Sequence, residues 1–219
     1  MYMSATAINK TEVAYSKLEK MIIFRELEPG SMVSEKQLAE ELDLGRTPVR
    51  EALQRLAYEC MVEIHPRRGI QIPVISVESQ LKILEVRRDI EALCVNYAAS
   101  RASVDEKQQM LYLAEQLEMC AENKDDLLYA SLLKDIHNVL VKAASNEYLQ
   151  LAMAPLQGLS RRFWFAYKNI DSDLIEASSL HAAVLRAVSH TDAEEAVAAS
   201  HRLNDYLTDV AYRSISLRK

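Results

Sequence analysis

The sequence predicts a mainly α protein in two parts: a small N-terminal domain over residues 1–75 and an all-helical bundle over 76–219. Three observations carry this. Glycine and proline are scarce, four and five in 219 residues, and so few turn residues cannot punctuate many strands. Alanine and leucine, strong helix formers, are abundant along the chain. Beyond Ser76 no stretch reads convincingly as a strand. Before it, 61-MVEIHPRRGIQIPVI-75 alternates with period two around Pro66 and Gly69, as a hairpin does.

A first helix is expected over 10–26, with Ala14, Leu18, Met21 and Ile22 on one face. The segment 28-EPGS-31 is a turn. Next, 34-SEKQ-37 has the form of a capping box, Ser34 accepting from the amide of Gln37 and Gln37 reaching back. It opens a short helix with Leu38, Ala39 and Leu42 inward. After a tight turn at 43–46, Thr47 reads as an N-cap and Pro48 as the first helical residue. The helix that follows should bury Val49, Leu53, Leu56 and Ala57, end near Glu59–Cys60, and turn Arg50 and Gln54 outward. Arg55 is expected to pair with Glu51 one turn earlier. The hairpin then carries Arg67 and Arg68 at its tip.

From Ser76 onward about six helical segments are expected. They start at Ser76–Glu78, at Ser103 (with Glu106 completing a second capping box), at Asp125–Asp126, Asn146, Asp173 and Thr191–Asp192. Pro155 falls inside one of them and should kink it. No apolar run approaches the roughly 18–20 residues of a bilayer span. The start MYMSATAINKTEVAY lacks the basic and apolar regions of a secretory signal. Cys60, Cys94 and Cys120 are widely spaced, with no metal-binding CxxC, and read as reduced thiols of a cytoplasmic protein.

The formal net charge is −6. Residues 1–75 are nearly balanced, so the acidic excess falls on the bundle. Within 1–75 the arginines cluster at 46, 50 and 55 and again at 67 and 68. Three short helices and a basic hairpin make a winged helix-turn-helix. A helix of this size fits the DNA major groove and presents its N-terminal residues to base edges. Arginine there can fork onto guanine O6 and N7, and the first free amides can hold a phosphate.

The run 34-SEKQLAEELDLGRTPVREALQRL-56, followed by 62-VEIHPRRGIQI-72, closely resembles the DNA-binding domain of GntR-family bacterial transcription regulators. The resemblance implies that Lys36, Arg46, Thr47 and Arg50 contact operator DNA. It also implies that the wing around Arg67, Arg68 and Gly69 follows the minor groove. Three positions depart from the family pattern. Asp43 stands where Gly is usual, Gly45 where Ser or Thr is frequent, and Cys60 where Gly often closes the helix. Asp tolerates a left-handed turn better than most residues, whereas Cys60 should carry some strain.

The segments 85-EVRRDIEALCVNYAA-99, 137-HNVLVKAASNEYL-149 and 181-HAAVLRAVSHTDAEEA-196 resemble, more loosely, the helical ligand-binding FCD domain of the FadR branch. That resemblance implies a homodimer whose bundle binds a small metabolite, usually a carboxylate, and often a divalent metal. His137 and His181 match two of the family's four metal-ligand positions. The other two fall on Leu133 and Leu203. Asp135 cannot stand in, because two residues along a helix turn the side chain ~200° away, and His201 is misplaced in the same way. Two histidines make a poor metal site, so no cofactor is assigned.

Arg87, His137 and His181 remain the expected effector-binding residues. Arg87 has the alternative of pairing with Glu91, and the histidines that of being satisfied core residues. The run 161-RRFWFAYK-168 is expected to pack or to form dimer surface. The expected function is an effector-controlled repressor on a palindromic double-stranded operator, with no membrane partner and no enzymatic role. The alternatives are a metal-dependent helical enzyme with a DNA-binding-like appendage, for which no catalytic motif is found, and a pure protein-interaction module.

Overall fold

A computed structural model describes residues 9–167 and 171–216. Within them the chain forms nine helices and three short strands, and it divides into two compact units between Ile75 and Ser76.

The first unit contains α1 (Lys10–Ile23), β1 (Met32–Val33), α2 (Glu35–Glu41), α3 (Arg46–Tyr58), β2 (Glu63–His65) and β3 (Gly69–Gln71). Asn9 caps α1 by accepting from the amides of Thr11 and Glu12. The helix stops at Ile23, short of the residue 26 expected. Arg25 turns left-handed (φ 62°), its amide returns to the carbonyl of Ile22 and that of Leu27 to the carbonyl of Met21, and these bonds close the helix end. The capping box of α2 forms in full: Gln37 N–H donates to Ser34 Oγ at 3.1 Å and Ser34 N–H to Gln37 Oε1 at 3.0 Å.

The start of α3 differs from expectation. Gly45, not Thr47, is the N-cap, with extended backbone and no side-chain cap bond. Pro48 is therefore the third helical residue. That costs nothing, because amides of the first turn have no intrahelical partner. Asp43 takes the left-handed conformation foreseen for it (φ 52°), and so does Cys60 (φ 56°). The buried stripe of α3 is Val49, Ala52, Leu53 and Leu56, with Ala57 half-buried rather than in the core.

The expected hairpin pairs antiparallel with Ile64 opposite Ile70. It gains a third strand, β1, on the far side of β3, giving the order β1-β3-β2. Two residues are too few to show alternation, which is why β1 was not legible. Leu18, Leu38, Leu56, Met61 and Ile72, each under 2% exposed, centre this unit's core.

The second unit is α4 (Val77–Arg101), α5 (Val104–Asn123), α6 (Asp126–Ala144), α7 (Glu147–Tyr167), α8 (Asp171–Ser189) and α9 (Ala193–Ser216). Local signals set most of these starts. Ser76 caps α4, Ser103 and Glu106 form the capping box of α5, and Asp125 caps α6. Asn146 accepts from Tyr148 and Leu149 amides, and Asp192 from that of Glu195. The exception is α8, which begins at Asp171. Asp173 does not cap it; its buried carboxylate accepts from Tyr206 Oη at 2.9 Å and Arg213 Nη2 at 3.0 Å. Helix α7 is continuous through Pro155.

Helix α4 packs on α6, α7 and α9, α5 on α6 and α8, and α8 on α9. Val95, Leu117, Ile136, Leu185 and Leu203 lie in the shared core. Because the α5 start rests on a reciprocal cap, Ser103→Ala should lower the stability of this domain by about 1 kcal/mol. Urea unfolding followed by circular dichroism measures this, and an unchanged midpoint would show that the cap carries no weight.

Candidate functional site

In the N-terminal unit, the expected DNA-binding side chains lie on α2, on the first turns of α3 and on the wing. Arg46, Thr47 and Arg50 are exposed near the start of α3, and Lys36 is exposed on α2. Lys36 and Arg46 flank an open depression of about 470 Å³ between the two helices, with Glu40, Asp43 and Gly45 along its floor and rim. Lys36 lies 3.7 Å from Glu40, both well exposed, a contact that contributes little. Thr47 does not cap α3 and is exposed in its first turn, where the leading amides have no intrahelical partner.

Arg50 is not a free cation. Its Nε and Nη2 donate to the two carboxylate oxygens of Glu35 at 2.9 and 2.8 Å. This two-point bond raises the arginine's pKa above the usual guanidinium value. Arg55 is structural, as expected, but not through Glu51. It donates to Glu12 at 2.9 Å and Glu59 at 3.3 Å and lies 3.9 Å over the ring of Tyr15. Glu51 instead accepts from Thr11 Oγ1 at 2.6 Å. Both contacts fasten α1 to α3, and Arg55 is occupied by them although it stays exposed.

At the wing tip, Arg67 and Arg68 are exposed and make no ion pair among the described residues. Arg67 is left-handed (φ 66°), and the amide of Arg68 closes the turn onto the carbonyl of His65. Gly69 has φ 114°, and a Cβ there would sit 2.7 Å from the carbonyl oxygen of Val33. Only glycine allows β1 to close against the wing at this point.

In the helical unit, Arg87, His137 and His181 meet at one interior cavity. Leu133, Ser160 and Leu207 also line it, together with the aromatic and cationic side chains of Tyr129, Arg161 and Trp164. Its volume is about 20 Å³, room for roughly one water-sized group. Arg87 and Glu91 form a buried pair, 2% and 3% exposed. Arg87 Nε donates at 2.7 Å and Nη2 at 3.3 Å. The Arg87–Glu91 alternative is thus what the structure contains, and Arg87 still borders the cavity.

His181 Nδ1 lies 2.7 Å from the carbonyl oxygen of Ala177. A carbonyl only accepts, so Nδ1 carries the proton and Nε2 the lone pair. Burial pushes this histidine down to about 4. His137 is held neutral by burial, with the charges of Arg87 and Arg161 adding to the effect. Neither of its nitrogens finds a hydrogen-bond partner among the described residues, so it is not a satisfied core histidine.

Leu133 lines the cavity, but the α9 wall is Leu207. Leu203, one turn earlier, is fully buried in the core. Among the described residues no three His, Cys, Asp or Glu side chains gather as a metal would need. Leu133 and Leu203 carry no atom that can ligate a metal.

Sequence reasoning missed Tyr129, Ser160, Arg161 and Trp164. Trp164 came from the run assigned to packing or dimer surface, of which Lys168 lies outside the described residues. It is buried, with its ring 5.9 Å from that of Tyr129. These residues are brought together by the packing of separate helices, which no local pattern announces.

A small winged domain with a basic tip, followed by a helical bundle with a small, mostly apolar cavity, defines the class of DNA-binding regulators. Residues 82–205 match the FCD domain, and residues 10–72 match the bacterial regulatory proteins of the gntR family. The chain belongs to the GntR-family transcription regulators that carry an FCD domain.

The Nta operon transcriptional regulator of Aminobacter aminovorans is 30% identical over 67% of this chain and 68% of its own length. The regulator YdhC of Bacillus subtilis is 27% identical over 62% of this chain, the match spanning 61% of YdhC. The repressor RspR of Escherichia coli is 27% identical over 70% of this chain and 68% of its own length. The solved structure of E. coli McbR/YncC superposes with a TM-score of 0.77 at 19% identity, covering 95% of this chain and 99% of that one. At that identity the likeness is one of fold. No helix among the described residues is long and apolar enough to cross a membrane.

Two outcomes follow from the cavity. The folded protein holds the His181 proton less tightly than the unfolded chain does. Its contribution is therefore complete above pH 6.5 and is lost as pH falls from 6.5 toward 4, by roughly 3 kcal/mol. Comparing wild type with His181→Gln by urea unfolding at pH 7 and pH 5 checks this: the gap in stability should narrow on acidification, and a constant gap would contradict it. His137→Leu, which removes an unpaired buried polar group, should stabilise the ligand-free protein by about 1 kcal/mol. A marked loss of thermal stability would instead show that His137 makes a bond that holds the fold.

Proposed function

We propose that this protein is a cytoplasmic homodimeric repressor that binds a palindromic operator and is controlled by a small carboxylate metabolite in the helical domain. The observation that carries the DNA half of the reading is the exposed Arg46–Thr47–Pro48–Arg50 start of α3 beside a wing tipped by Arg67 and Arg68. The helix end supplies open amides and a positive dipole for phosphate, its arginines can fork onto guanine, and the wing arginines are available for backbone phosphates. Lys36 and Gly69 complete the surface, one as a cation on α2 and the other as the residue that lets the wing close. Repression is the reading favoured by the relative RspR, whose name is that of a repressor.

For the effector, the supporting observation is His137, buried with both nitrogens unpartnered next to the Arg87–Glu91 pair. An unmet buried polar group costs about 1–3 kcal/mol, and a ligand that meets it recovers that energy only in the bound state. A carboxylate suits a wall of Arg87, Arg161 and the Tyr129 hydroxyl, beside which the His181 Nε2 lone pair can accept from a hydroxyl of the same ligand. It would be held by these side chains directly, without a bridging metal, because Leu133 supplies no ligand. A cavity of this size takes in a metabolite only by repacking around it. That repacking gives bound and free states the differential affinity that ligand control requires.

The test is fluorescence anisotropy with duplexes selected from genomic DNA, at two salt concentrations. Wild type should prefer a discrete palindrome and weaken as salt rises. Arg50→Ala should lose on the order of tenfold in preference at one base pair. Arg67→Ala should instead weaken all duplexes alike and flatten the salt dependence. Salt-independent binding, or no preference in any protein, would sink the reading.

A further inference from the structure

Glu35 and Arg50 are fifteen positions apart, on neighbouring helices, and meet through two parallel hydrogen bonds of 2.9 and 2.8 Å. The carboxylate takes one edge of the guanidinium, the edge formed by Nε and Nη2. The other edge, formed by Nη1 and the second Nη2 hydrogen, is left free, and it has the same two-donor spacing. The two partners are unequally fixed. Glu35 opens α2 between Ser34 and Gln37, whose reciprocal capping bonds hold that first turn. Its side chain is 25% exposed, against 61% for that of Arg50. The acid is therefore the anchor and the arginine the held group.

We infer that Glu35 is a specificity-determining residue of the DNA surface, positioning Arg50 so that its free edge forks onto the O6 and N7 of a guanine. The inference rests on the regulator reading and deepens it. An arginine on a free stem samples many rotamers and is drawn to any phosphate within reach. Clamped in one plane, it loses that freedom in advance, and less entropy is spent when the base bonds form. The carboxylate also repels phosphate oxygens, so the pair disfavours backbone contact where it favours a base edge. Glu35 touches no DNA in this scheme; it acts through Arg50.

The test uses the full chain and three variants, Glu35→Gln, Arg50→Ala and the double change. Each is titrated with the preferred duplex, with duplexes substituted at each base pair, and with a random duplex. Circular dichroism confirms that all are folded. Glu35→Gln should bind the random duplex at least as well as wild type, because a negative charge is gone. It should lose on the order of tenfold in discrimination at the same base pair that Arg50→Ala affects. The double variant should discriminate no worse there than Arg50→Ala alone, the non-additivity expected of two residues acting as one unit.

Glu35→Gln with unchanged discrimination at that base pair would overturn the inference, and so would additive losses. A gain in affinity for the preferred duplex with discrimination intact would also overturn it, by showing that Glu35 merely competes with DNA for Arg50. Absence of any preferred duplex for wild type would remove the regulator reading, and the inference with it.

Discussion

An acidic chain can hold a polyanion only where its cations are not already neutralised by its own carboxylates. With a net charge of −6, this protein meets that constraint by sorting its arginines through pairing, and the rest of the N-terminal unit follows from the sorting. Arg55, though exposed, is occupied by Glu12, Glu59 and the ring of Tyr15 and becomes a fastener between α1 and α3. Arg46, Arg67 and Arg68 are left exposed and unpaired among the described residues. Arg50 lies between these cases, with one edge given to Glu35 and the other free. Counting arginines on α3 would treat all of them alike; their partners assign them different work.

The helical unit applies the same geometry in a different medium. Arg87 also gives its Nε–Nη2 edge to a glutamate one turn away, but here both groups are buried. A buried pair is weak evidence of stabilisation, since desolvation offsets much of the attraction. It does, however, fix a charge beside the cavity without exposing it to water. That charge and the burial keep both histidines neutral. The two buried thiols are silenced by burial, which raises Cys94 to about 12 and Cys120 to about 11, so neither is a nucleophile at neutral pH.

What was legible in the sequence was what local chemistry decides. Ser34–Gln37 and Ser103–Glu106 announced their helices because a capping box is complete within four residues. The wing showed through its period of two, and Asp43 through its tolerance of a left-handed turn. Errors arose where two local signals competed, as when Gly45 took the cap position from Thr47 because extended backbone there already satisfied the entry to α3. The rest depended on distance. The pairing of Arg50 with Glu35 and of Arg55 with Glu12, the burial of Asp173 under Tyr206 and Arg213, and the meeting of Tyr129 with Trp164 all join residues far apart in the chain. No spacing rule reaches that far. The histidine pair was found from resemblance, while the unmet hydrogen bonds of His137 needed the packed bundle to be seen.

The central claim is that one surface, made of the α2–α3 corner and the wing, is the surface that meets DNA. Amide hydrogen exchange on the full chain, with and without its preferred duplex, tests this most directly. The account predicts slowed exchange at residues 34–50 and 66–70, with the core of α4–α9 unchanged in the absence of effector. Protection confined to 76–219, with the start of α3 and the wing exchanging as in the free protein, would contradict it.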